Sequence, residues 1–79
     1  MSISAAQCRA ARSLIGWSQD KLSEASKVAK ATIANFEAGK RSPYDRTLDD
    51  IQAALEEAGV VFISEGNEKA GGEGVRMAK

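Results

Sequence analysis

The feature that most restricts this chain is its spacing of helix stops. Gly16, Gly39 and Gly59 each follow an apolar-periodic segment, and Ser42-Pro43 falls between the second and third of these glycines. Glycine accepts the left-handed backbone needed just past a helix end, and proline disfavours helix at the residue before it. The first 59 residues therefore have room only for short helices. Ser4-Ala5-Ala6-Gln7 fits an S-x-x-Q capping box, which opens a first helix over about 4–15 with Cys8, Ala11 and Ile15 on its inner side and Leu14 beside them. Ser18 is the next N-cap, and a second helix spans 19–26 with Leu22 and Ala25 able to face inward. Lys27-Val28-Ala29 makes a tight connection to a third helix over 30–38, whose apolar pair is Ile33 and Phe36. A fourth helix over 45–58 carries Leu48, Ile51, Leu55 and Ala58 along one stripe.

The pattern changes after Gly59. Val60-Val61-Phe62-Ile63 is β-branched and aromatic and too short for a helix, so it predicts a strand. Residues 65–74 hold four glycines and four charges and read as a mobile loop, with Val75-Arg76-Met77 as a return strand. An isolated two-stranded hairpin is marginal in water, so it needs the helices or another chain to pack against. The expected organisation is a mainly α domain over 1–59, compact and four-helical, with a C-terminal strand or hairpin over 60–79.

Size and composition narrow the function. A chain of 79 residues buries only about 60% of its unfolded surface, which favours a stabilising partner such as a second copy. There is no His and one Cys, which removes His-dependent catalysis, His-containing zinc sites and internal disulfides. No nucleophile–base pair, metal cluster or phosphate loop can be assembled, so neither an enzyme nor a cofactor is expected. The doublets Asp49-Asp50 and Glu56-Glu57 do not converge, because neighbours on a helix point about 100° apart. The glycines of 66–74 do not follow a strand and open a helix, and read as linker. No basic leader or membrane-length apolar run is visible, and a cytoplasmic protein without membrane attachment is expected.

The formal net charge of zero hides an asymmetry. Through Arg46 there are eight basic residues against four acidic ones, and after it three against seven. A basic half can approach a polyanion while the acidic half stays clear of it. Two short helices joined by three residues, the second polar on its outer side, form a helix-turn-helix pattern.

Trp17-Ser18-Gln19, Leu22, Val28, Ala31-Thr32-Ile33, Phe36-Glu37, Gly39-Lys40-Arg41 and Pro43 together resemble the phage repressor/Cro-type, or XRE-type, helix-turn-helix family. The match covers about residues 7–58. It implies a sequence-specific DNA-binding transcriptional regulator that inserts the helix from Lys30 into the major groove of double-stranded DNA. Lys30, Ala31 and Asn35 match the base-facing positions. Ser18, Gln19, Thr32, Lys40, Arg41, Ser42 and Tyr44 are the phosphate candidates. Trp17 matches a core position. Glu37, apart from the resemblance, is close to basic groups and is expected in a structural ion pair.

Two residues depart from the family. Lys27 stands where Gly is usual, and a lysine there costs roughly 1 kcal/mol if the left-handed turn is kept. It is also a candidate phosphate contact. Ala29 replaces the usual Ser or Thr cap, at a cost of about 1 kcal/mol.

The small contact area of one domain suggests a homodimer on a roughly palindromic operator, with Val60, Val61, Phe62 and Ile63 as the dimer element. A protein-interaction module of the same fold is the competing reading. A toxin or an accessory regulator would then be the partner, as for an antitoxin.

Overall fold

The computed structural model describes residues 3–63 and 74–78. The expected loop over 65–74 lies outside the described residues except for Gly74, which is the first residue of the return strand and not part of the loop. The element order is α1 (Ala5–Ile15), α2 (Gln19–Ser26), α3 (Lys30–Glu37), α4 (Asp45–Glu57), β1 (Val60–Ile63) and β2 (Gly74–Met77).

Local chemistry sets the helix ends. At α1 the capping box is complete: Ser4 Oγ accepts from the Gln7 amide at 3.1 Å and Gln7 Oε1 accepts from the Ser4 amide at 2.9 Å. Ser18 Oγ caps α2 by accepting from the Lys21 amide at 3.0 Å. Ala29 opens α3 with no side-chain cap, as its missing oxygen requires. Gly16, Gly39 and Gly59 all have positive φ. At Gly59, with φ of 105°, a Cβ would also lie 3.3 Å from Met77 Cε, so a side chain there strains both the backbone and the packing.

Lys27 keeps the left-handed turn conformation, with φ of 65°. It is the C-cap of α2, and its amide donates to the Ser23 carbonyl at 2.9 Å. Lys27→Gly is expected to raise stability by up to about 1 kcal/mol, less the entropy that glycine returns to the unfolded chain. Urea denaturation checks this; a loss of stability would mean that the lysine makes a favourable contact in the turn.

The core joins every helix. Cys8 and Ala11 of α1, Leu22 of α2, Ile33 and Phe36 of α3, and Leu48, Ile51, Ala54 and Leu55 of α4 are buried with Ile3, Val28 and Val60. Trp17 and Ile15 are half-buried against this cluster, whereas Leu14 is exposed. Ala25 does not face inward: it is exposed, and Ser26 takes the buried place. Its hydroxyl donates to the Leu22 carbonyl at 2.7 Å and accepts from the Val28 amide at 3.3 Å, which satisfies the polar atom in the interior. Ser23 Oγ donates to the Val28 carbonyl at 2.6 Å, so two serines tie the turn to α2.

β1 and β2 form an antiparallel hairpin in the register Val60↔Met77, Val61↔Arg76, Phe62↔Val75 and Ile63↔Gly74. The hairpin packs on α1 and α4. Val60 is buried, and Phe62 and Val75 lie against the core. Period-2 alternation therefore turns Val61 and Ile63 to the opposite face. Gln7, itself buried, anchors the mouth of the hairpin: its Nε2 donates to the Ile63 and Gly74 carbonyls, each at 3.0 Å.

Candidate nucleic-acid interface

α3 and the loop that follows it frame an open cleft of about 430 Å³. Ala31, Thr32 and Asn35 line one side, and Arg41, Ser42, Pro43, Tyr44 and Thr47 the other. Ile33 and Phe36 point into the core, and helical geometry then directs Ala31, Thr32 and Asn35 outward. The Asn35 carbonyl accepts from the Lys40 amide at 2.9 Å and from the Arg41 amide at 3.4 Å. The segment bearing two expected phosphate ligands is thus hydrogen-bonded to the residue expected to read a base. Tyr44 is 87% exposed at the cleft edge and is the N-cap residue of α4.

The remaining candidates do not line the cleft. Lys30 begins α3 and its ammonium lies 3.1 Å from Asp20 Oδ1 on α2. Lys27 is exposed in the turn, and Lys40 is exposed after Gly39. Ser18 is exposed at the start of α2. Val60, Val61, Phe62 and Ile63 sit in the hairpin, apart from the cleft-lining residues. Thr47 and Asp20 are not among the residues expected at the site, and Pro43 is expected only as a loop marker and motif residue. Thr47 lies three residues after Tyr44, at the spacing that places it on the same face of α4's first turn.

Gln19 has a partner inside the protein. Its Nε2 donates to Glu37 Oε1 at 3.0 Å, so its side-chain amide is held in place at the start of α2. Glu37 is itself the hub of a buried polar cluster. Arg12 Nε donates to Glu37 Oε2 at 2.8 Å, and Arg12 Nη2 to Glu37 Oε1 at 2.6 Å. Cys8 Sγ donates to Glu37 Oε2 at 3.0 Å, and Arg9 donates to the Glu37 backbone carbonyl. Burial alone would raise the Glu37 pKa, but the hydrogen bonds from Arg12, Cys8 and Gln19 outweigh it and hold the carboxyl below its ordinary range. Burial, with the adjacent carboxylate, pushes the Cys8 thiol far up, so it stays protonated and unreactive. The cluster ties α1, α2 and α3 to one another.

A family model described as helix-turn-helix matches residues 9–58, more than half of the chain. The chain belongs to the XRE-type helix-turn-helix family. It is a DNA-binding helix-turn-helix regulator. In XRE-type terms, α2 and α3 are the two helices of the motif, and the cleft lies on α3, its second helix. Comparison with curated proteins gave no match. Among the described residues no helix is long and apolar enough to cross a membrane.

Proposed function

We propose that this XRE-type regulator reads a specific operator with α3 in the major groove, as a homodimer. The observation that carries the reading is the cleft. Ala31 and Asn35 share it with Thr32, Arg41, Ser42 and Tyr44, so base-reading and phosphate-holding groups stand together on one surface. Asn35 pairs with adenine N6 and N7, and the Ala31 methyl touches a thymine methyl. Lys30 donates to guanine. Arg41, Lys40 and Lys27 hold phosphates as charges, while Thr32, Ser42 and Tyr44 donate hydroxyls. The start of α2 at Ser18 and Gln19 offers amides and the positive end of a helix to a further phosphate.

Asn35→Ala is expected to cost about 1–3 kcal/mol on the preferred site and to relax base preference at one position in each half-site. Competition binding against single-position variants of the site checks this. Unchanged preference after Asn35→Ala would contradict the docking.

The dimer rests on the hairpin. Val60 and Phe62 serve the protomer's own core, so truncation after Gly59 would also damage the fold. Val61 and Ile63 are the residues free to meet a second copy, β-branched and half-buried. Val61→Lys together with Ile63→Lys is expected to leave a folded monomer in sedimentation. A variant that still sediments as a dimer would remove β1 as the dimer element.

A further inference from the structure

The ion pair between Lys30 and Asp20 joins the first turns of the two motif helices. Lys30 Nζ lies 3.1 Å from Asp20 Oδ1, and both side chains are more than half exposed. A pair so open to water adds little to stability, which leaves its purpose unexplained by the fold. Its placement is specific all the same. Lys30 is the first residue of α3, where the positive end of the helix repels an ammonium, and Asp20 offsets that repulsion. A lysine stem has four rotatable carbons, and an untethered ammonium beside DNA reaches whichever phosphate is nearest.

We propose that Asp20 is a specificity-determining positioning residue, which directs the Lys30 ammonium to a guanine edge and away from the phosphate backbone. This rests on the reading of α3 as the recognition helix. An ammonium carries three N–H groups; with one given to Asp20, two remain, and guanine offers two acceptors, O6 and N7, in the major groove. The carboxylate also repels phosphate. The pair is therefore close to neutral toward the backbone while still a donor toward a base. Asp20 stands next to Gln19, at the helix start that meets a phosphate in the proposed docking, so its charge weakens binding to every sequence alike. It gives up general affinity and gains discrimination, which is specificity obtained through a repulsive element.

The test uses the full chain, duplexes selected from a random pool, and competition binding. The wild type is expected to prefer guanine at one position of each half-site. Asp20→Asn is expected to tighten binding to unselected DNA and to reduce that preference on the order of fivefold, within what one directed base contact supplies. Asp20→Glu, which keeps the charge, is expected to restore most of it. In a Lys30→Ala background, Asp20→Asn is expected to leave the preference at that position unmoved. An unchanged guanine preference in Asp20→Asn would overturn the role of Asp20 alone. So would a uniform weakening on all sequences with a lower melting temperature, since that is the mark of a helix-dipole role. A wild type that selects no sequence at all would overturn the docking, and the role of Asp20 with it.

Discussion

Glu37→Ala is expected to destabilise the domain by about 3–5 kcal/mol, enough to unfold much of it at room temperature. The Glu37 side chain is only 3% exposed and receives two hydrogen bonds from Arg12, one from Gln19 and one from Cys8. Removing the carboxylate leaves the Arg12 guanidinium, itself 20% exposed, without its counter-charge. A domain of 79 residues has little stability to lose. Urea denaturation of wild type and variant measures the difference, and a loss under about 1 kcal/mol would show that the cluster is peripheral to the fold.

The same cluster predicts a pH dependence. Glu37 has a folded-state pKa below its ordinary value of 4.5, so the unfolded chain takes up a proton at this site first. Its stabilisation is present in full above the unfolded value and is lost as the pH falls through the folded one. Below pH 4.5 the wild type is therefore expected to lose stability more steeply than Glu37→Gln, which has no proton to gain there. Parallel curves would mean that the carboxylate is not ionised in the fold.

The second large effect is on DNA binding. Lys27, Lys40 and Arg41 are exposed cations, Arg41 on the cleft itself, while Lys30 is offset by Asp20. Three cations per protomer make six per dimer, and a slope near −0.9 per neutralised phosphate then gives log K against log salt a slope of about −5. Affinity is expected to fall roughly 10³-fold between about 50 and 200 mM salt. Arg41→Ala removes two of these contacts per dimer, lowers the slope by about two and weakens all sequences alike. Asn35→Ala changes base preference and leaves the slope in place. The contrast separates holding from reading: a salt slope near zero would exclude the phosphate contacts, whatever the base preference.

The helix boundaries were legible because they depend on neighbours in sequence. Ser4, Gln7, Ser18 and the glycines act on amides and carbonyls within a turn of themselves, and the observed ends fall within about one residue of those expected. Long-range polar contacts left no such trace. Gln7 was visible as a capping residue, but its bonds to Ile63 and Gly74 cross 56 and 67 residues and follow no periodicity. Glu37 was expected in an ion pair, yet its gathering of Arg12, Gln19 and Cys8 follows from how three helices pack. Ala25 is expected inside because apolarity favours alanine for the core, whereas Ser26 is buried in its place through its two hydrogen bonds. The face of α3 could be read from Ile33 and Phe36. On the far wall of the cleft, Arg41, Ser42 and Tyr44 follow from the family resemblance and Pro43 from its loop signal, whereas Thr47 depends on how the loop folds back and has no pattern to announce it.

Selection of bound duplexes from random DNA, with the full chain at moderate salt, tests the central claim most directly. The expected result is enrichment of two related half-sites with centres about 34–36 Å apart, one helical turn, as two α3 helices on a symmetric dimer require. A pool with no more sequence bias after selection than before it would contradict the account.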